Sequence, residues 1–309
     1  MAELVAALDV GGTTVKAALL DGDLNVLATR RERTARGADG TALAEQTASV
    51  VAALIGEAGT AAPDAVGVVV PGIVDEQDRV ARFSANLDWR DVPFGDLLER
   101  RLGLPVAFGH DVRAGGVAEF RVGAGQGCRD AAFVAVGTGI AAALQLDGRL
   151  YRAHGLAGEV GHIDVGHPGR CGCGATGCLE AIASASSIAR RYTERTGRPA
   201  DGAQPVVDAA RQGDEAAQIV VSEALDALAH GLRTLLTLLA PEVIVLGGGL
   251  FTATEYVLDP IRDWLGSALT FQRMPELRIA KLGDEAGRLG AGLLALDVLR
   301  ERHSAEEGR

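Results

Sequence analysis

The sequence predicts an α/β protein of two domains, and three observations carry that reading. The chain has 309 residues, long for one compact core. Short β-branched runs end repeatedly in glycine-rich turns, and segments of helical apolar spacing lie between them. The strand–turn–strand pattern that opens the chain returns near its middle, as a duplicated half would.

Leu4–Val10 reads as a buried strand. Gly11-Gly12-Thr13-Thr14 turns the chain into a second, Val15–Leu20, and Asp21-Gly22 signals a hairpin before a third near Leu24–Thr29. Leu43, Val50, Val51 and Leu54 fall at helical spacing, which predicts a helix over Asp39–Gly56. Val66–Val70 is a strand that stops at Pro71-Gly72. Val106–Phe108 is another, leading to His110-Asp111 and a helical Val112–Phe120. The opening pattern then recurs: Phe133–Val136, the turn Gly137-Thr138-Gly139, the strand Ile140–Leu146 and Asp147-Gly148. Val10 precedes Asp21 by eleven positions, and Val136 precedes Asp147 by the same eleven. A glycine- and cysteine-rich loop, Gly166–Gly177, follows, and then helices. The clearest is Asp214–Leu239, with Ile219, Val220, Leu225, Leu228, Leu232, Leu235 and Leu239 along one side. Val243–Leu246 is a buried strand ending in Gly247-Gly248-Gly249, and a last helix near Glu285–Arg300 precedes a polar tail expected to fray. The expected division is a small α/β lobe over residues 1–117, on which the C-terminal helix (about 295–309) packs, and a large α/β lobe over 118–294.

A net charge of −11 argues against nucleic acid and anionic membrane surfaces as partners. No run approaches the roughly 20 apolar residues of a membrane span. Leu4–Leu8 is too short for an export region and lacks preceding basic residues, so a cytoplasmic location is expected.

Asp9-Val-Gly-Gly-Thr-Thr is the first chemical signal. Glycines let backbone N–H groups approach phosphate oxygens, and an aspartate at the strand end can order magnesium through water. The same residues would also make a plain hairpin, but Gly137-Thr138-Gly139 and Gly247-Gly248-Gly249 repeat the device after two further buried strands. His162, Cys171, Cys173 and Cys178 offer one imidazole and three thiols, a closed tetrahedral zinc shell and hence a structural one. Cys128 stands apart as a small core residue, and His167 as a surface residue. Asp111, between a strand and a helix, suits either a carboxylate aimed into a cleft or an ordinary N-cap. Glu159, His162 and Glu180 flank the cysteine loop, where polar groups either line a sugar pocket or are simply solvated.

Together these residues resemble the ROK family (repressors, uncharacterised reading frames and sugar kinases), specifically its glucokinase-like members. The likeness covers Asp9–Thr14, Val70-Pro71-Gly72, the Asp111 segment, Gly137-Thr138-Gly139, Gly158-Glu159-Val160-Gly161-His162, Cys171–Glu180 and Gly247–Gly249. The cysteine segment is specific to that family, whereas the opening loop is shared across actin-like and hexokinase-like ATPases. The resemblance implies two ribonuclease-H-like lobes, with ATP and sugar meeting in a cleft between them. It implies ATP-dependent phosphorylation of the 6-hydroxyl of glucose or a close relative, with N-acetylglucosamine or another amino sugar as the alternative. By carry-over, Asp111 is the general base, and Gly72, Asn86, His110, Asp111, Glu159, His162 and Glu180 hold the sugar. Asp9, Gly11, Gly12, Thr13, Thr14, Gly137, Thr138, Gly139, Gly247 and Gly248 hold ATP and its magnesium. His162, Cys171, Cys173 and Cys178 hold zinc, and a homodimer or higher homo-oligomer is expected.

One position departs from the pattern. These kinases usually carry Asn before the catalytic Asp, and His110 stands here, followed by Val112-Arg113 in place of a small polar run. Either the imidazole borders the sugar pocket and adjusts which sugar fits, or it packs under the helix start. A sugar-responsive repressor would need a helix-turn-helix domain ahead of the first glycine loop. That loop begins at residue 9, so none is expected. A non-catalytic sugar-sensing protein is disfavoured by Asp111 and the three glycine loops.

Overall fold

A computed structural model describes residues 3–307, which divide into two compact units. The first runs through Ala118 and also takes Arg152–Leu156 and the chain from Asp284 onward. The second comprises Glu119–Tyr151 and Ala157–Gly283. The chain leaves the first unit after Ala118, where 117 was expected, returns to it over Arg152–Leu156, which fall inside the expected 118–294 lobe, and rejoins it at Asp284, ahead of the expected 295. The C-terminal helix, with Asp284 and Glu285 before it, belongs to the first unit.

In the first unit, β1 (Leu4–Val10), β2 (Thr14–Asp21) and β3 (Val26–Arg33) form an antiparallel meander. Helix α1 (Thr41–Ala58) crosses to β4 (Ala65–Val70), parallel to β1. β5 (Ile73–Asp75), β6 (Val80–Ser84) and β7 (Trp89–Val92) make a small separate sheet that the sequence pattern did not reveal. Helix α2 (Phe94–Leu102) leads to β8 (Val106–His110), parallel to β4, and α3 (Asp111–Val122) follows with no intervening residue. The main sheet has the order β3-β2-β1-β4-β8.

The strand period explains the layering. Ala6, Leu8 and Val10 of β1 join Leu43, Val50 and Leu54 of α1 on one face. Val5 and Ala7 turn to the other, where Ala291, Ala295, Leu296 and Leu299 of the C-terminal helix cover them. Burying a leucine such as Leu8 or Leu54 contributes roughly 1.5–3 kcal/mol. β3 begins later than expected because Leu24, at φ +65°, is spent on the turn.

The second unit repeats the plan. β9 (Ala131–Val136), β10 (Ile140–Leu146) and β11 (Arg149–Tyr151) form its meander. Helices α4 (Glu180–Ala183), α5 (Ala185–Thr196), α6 (Ala203–Arg211) and α7 (Glu215–Leu239) precede β12 (Val243–Gly247), which pairs parallel with β9. Helix α8 (Thr254–Ala268) leads to β13 (Glu276–Ile279), and the C-terminal helix is α9 (Ala286–Glu307). The sheet order β11-β10-β9-β12-β13 has the same sequence of antiparallel and parallel pairings as the first sheet. The equal eleven-residue spacings read from the sequence are these two opening hairpins.

Three local expectations change. Ile219 is 43 % exposed and lies off the buried stripe of α7, which Val220, Val221, Ala224, Leu225, Leu228, Leu232 and Leu235 form instead. Cys128 is half-buried and not a core residue. The polar tail continues α9 helically to Glu307. Among the described residues, no helix is long and apolar enough to cross a membrane.

Asp214 caps α7, accepting the Ala217 N–H at 3.0 Å and the Tyr192 hydroxyl at 3.1 Å. Asp214→Ala is expected to lower unfolding stability by about 1–2 kcal/mol and to leave the apparent KM for sugar unchanged. Urea melts alongside steady-state kinetics would check both.

Candidate active site

In the first unit, the Gly11–Thr14 turn is closed by the Gly11 N–H, which donates to the Thr14 carbonyl at 2.8 Å. Its other carbonyls point backward into partners. Thr34 Oγ1 donates to Gly11 O at 2.7 Å, the Thr34 N–H to Thr13 O at 3.0 Å, and the Arg36 guanidinium to Gly12 O at 2.8 Å. The N–H groups of Gly12 and Thr13 have no protein acceptor among the described residues, the polarity that suits an anion. Arg36 also reaches Asn86 O at 3.4 Å, so Asn86 is held beside this loop.

Asp9 lies opposite Lys16 in the β1–β2 ladder. A Cβ on Gly287 would stand 2.8 Å from Asp9 Oδ2, so the first turn of α9 abuts the carboxyl group and a larger residue there would push it aside. Burial raises the Asp9 pKa, Lys16 opposes that shift, and Asp284 and Arg288 act in opposite directions. Gly72, at φ +116°, turns the chain between β4 and β5. A Cβ there would sit 2.2 Å from Phe83 O, which requires glycine.

Asp111 is the first residue of α3, and its side chain is 31 % exposed. The crowded surroundings, and next the charge of Asp9, push its pKa up to about 7, against the Val112 N–H and Arg113. The Val112 N–H donates to Asp111 Oδ1 at 2.6 Å. His110 is buried, and its Nδ1 accepts the Arg113 N–H at 3.3 Å. Its Nε2 lies 3.4 Å from Asp111 Oδ1. Burial, with a smaller contribution from Arg113, lowers the His110 pKa to about 3, so the ring is neutral.

Arg113 is the largest fully buried side chain. Its Nε donates to Glu76 Oε1 at 2.9 Å, and its terminal nitrogens donate to Gly155 O at 3.2 Å and Val74 O at 2.7 Å. Arg152 donates to the other Glu76 oxygen at 2.5 Å. This network holds Arg152–Leu156 against β5. Sequence reasoning registered Val112-Arg113 only as a departure, because a buried arginine has no local signature when its partners are 37 and 42 positions away.

In the second unit, the Gly137 N–H donates to Gly139 O at 2.9 Å, and Gly137 O accepts the Ala185 N–H at 2.8 Å. Gly247 is registered opposite Ala135, so the end of β12 lies beside this turn. Glu180 Oε2 accepts the Ile140 N–H at 2.8 Å, fixing that carboxylate to the turn. His162 closes a 3₁₀ turn, with Nε2 3.9 Å from Glu159 Oε2.

The four expected metal ligands converge, all four donor atoms lying within 4.8 Å of one another. Cys173 and Cys178 Sγ are 3.7 Å apart, and Cys171 Sγ is 3.7 Å from His162 Nδ1. Tetrahedral zinc with its usual bond lengths needs edges of about 3.8 Å between sulfurs and about 3.6 Å from sulfur to nitrogen. The donor set fits that ion. Burial and the two neighbouring thiols push the Cys178 thiol up to about 12, a penalty that a bound cation reverses. His167 is half-buried, its Nδ1 accepting the Gly169 N–H at 3.0 Å, and is not among these donors.

Two ribonuclease-H-like units of identical strand order, each with a glycine turn after its first strand, define the actin- and hexokinase-type ATPase fold. The chain belongs to the ROK family, whose model matches residues 5–298. It is 32 % identical to a glucokinase of Streptomyces coelicolor, over 94 % of this chain and 97 % of that protein. The ROK hexokinase of Thermus thermophilus superposes with a TM-score of 0.84 at 33 % identity, covering 96 % of this chain and 99 % of that one. A ROK glucokinase of Streptomyces griseus, solved with glucose and AMPPNP, gives 0.79 at 33 % identity over 94 % and 99 % of the two chains.

Proposed function

We propose that this protein is an ATP-dependent hexose kinase that transfers the γ-phosphoryl group to the 6-hydroxyl of glucose. The observation that carries the reading is the Asp111 carboxyl group, anchored through one oxygen at a helix start, with a pKa near neutrality. A base with that pKa is half ionised near neutral pH and still strong enough to accept a hydroxyl proton. Likeness to glucokinases over nearly the full chain supports the same reading.

In this reading Gly72, Asn86, Glu159, His162 and Glu180 bind the sugar hydroxyls. Asp111 Oδ2 takes the proton as the sugar oxygen bonds to phosphorus, the bond to the β-phosphate oxygen breaks, and ADP leaves. The N–H groups of Gly12 and Thr13, with Thr14, Gly137–Gly139, Gly247 and Gly248, orient the triphosphate, and Asp9 orders its magnesium. The metal ion neutralises charge on the phosphates when bound. Zinc held by His162 Nδ1, Cys171, Cys173 and Cys178 would fix the His162 ring, leaving Nε2 for Glu159 and the sugar.

Coupled ADP release over a panel of hexoses tests this. Glucose is expected to give the highest kcat/KM, with N-acetylglucosamine behind it. Absence of sugar-dependent ADP release with every hexose would refute the kinase reading, and a preference for N-acetylglucosamine would correct the substrate.

A further inference from the structure

We propose that His110 is a positioning residue for Asp111, acting through that carboxylate and not by contact with the sugar. The inference rests on Asp111 being the base and deepens that reading.

One ring nitrogen is committed by a hydrogen bond, and the other stands beside Asp111. Nδ1 accepts the Arg113 N–H at 3.3 Å, the i to i+3 bond of a helix N-cap. A nitrogen that accepts carries no proton, so the neutral ring is the Nε2–H tautomer. That nitrogen stands 3.4 Å from Asp111 Oδ1, near but outside hydrogen-bond geometry, and the same oxygen accepts the Val112 N–H at 2.6 Å. The Val112 N–H and the His110 ring both lie on the Oδ1 side of the carboxyl group. They fix the carboxylate plane and leave Oδ2 as the atom that receives the substrate proton. At 3.4 Å the histidine contact is long, and such contacts shorten once substrate completes the site. The ring itself cannot move away easily, since its side chain is 8 % exposed and the His110 N–H also faces Glu76 Oε1 at 3.4 Å. Arginine at 113 fits the same arrangement: its backbone N–H supplies the donor for Nδ1, and its guanidinium is tied to Glu76.

The charged groups acting on Asp111 are Asp9 on β1 and Arg113 on α3, with Glu76 paired to Arg113. Lys16 on β2 and Asp284 and Arg288 at the start of α9 act on Asp9. None of these stands in for an N–H on Oδ1. Removing the histidine donor destabilises the ionised carboxylate, which raises the Asp111 pKa and moves the acid limb of kcat/KM to higher pH.

His110→Asn separates this role from a structural one, because asparagine retains an N-cap acceptor but not the reach of Nε2. It is expected to melt near the wild-type temperature and to keep the hexose KM within about two-fold. It should lose roughly 3- to 30-fold in kcat and shift the acid limb upward by about half a unit to one unit. Histidine ¹⁵N NMR of the wild-type protein needs no variant. A neutral Nε2–H ring at His110 from pH 5 to 8, its Nε2 signal following the titration of Asp111, is the expected result. A protonated or Nδ1–H ring overturns the proposal. So does a folded His110→Asn enzyme with an unmoved acid limb, or one that changes the glucose to N-acetylglucosamine preference at constant kcat. If Asp111→Asn retains near-native turnover, the base assignment has failed instead, which the same assays distinguish.

Discussion

Asp111→Asn is expected to retain hexose binding and to lose kcat by roughly 10²- to 10⁴-fold, the usual contribution of a positioned base. Asparagine is nearly isosteric and can still accept the Val112 N–H that holds Oδ1, so α3 keeps its start. What it lacks is an oxygen that can take a proton. The wild-type pH profile should carry the same signature. Burial and the charge of Asp9 raise the Asp111 pKa to about 7, so the ionised form becomes a minority as pH falls below neutrality. The rate should therefore fall about ten-fold per pH unit below that point and level off above it. Near-native turnover of the variant with saturating sugar, or a wild-type rate flat from pH 5 to 8, would remove Asp111 from the chemistry.

Cys173→Ser should abolish binding of one zinc per chain and cost both stability and sugar affinity. The loop Gly166–Gly177 has its own backbone hydrogen bonds but little apolar burial: the buried apolar cluster there consists of Cys171, Cys178 and Ala181. Where burial is so small, metal binding would supply much of the folding energy of the segment. His162 loses its ring orientation with the ion, and Glu180 begins two residues after Cys178, so polar groups assigned to the sugar lose their placement together. A rise in hexose KM of roughly ten-fold or more is expected, with a lowered melting temperature. Cys128→Ser, which alters a thiol outside the four donors, should leave zinc content unchanged. Full activity after verified removal of zinc would contradict this account.

The parts of the fold legible in the sequence were those written in short-range patterns. β10 runs over Ile140–Leu146 as its apolar run indicates, and Asp214 caps α7 where the helical spacing begins. The cysteine spacing announced its own geometry, because only a few residues separate the donors. The β5-β6-β7 sheet escaped because each strand spans three to five residues, too few to show alternation. Yet that sheet sets the places of Gly72 and Asn86, one just before β5 and the other two residues after β6. The return of Arg152–Leu156 to the first unit was equally hidden, because Arg113 and Glu76, far earlier in the chain, hold it. The role of His110 lay between these cases. The sequence marked it as a departure, and only the bond from the Arg113 N–H showed which way the ring faces.

Phosphorus NMR of the reaction product is the most direct measurement of the central claim. With glucose, ATP and magnesium, the account predicts glucose 6-phosphate and ADP in equal amounts from the wild-type protein, and only trace product from Asp111→Asn at the same concentration. Phosphate on a different hydroxyl, ADP with free inorganic phosphate and unmodified glucose, or equal product from both proteins would contradict it.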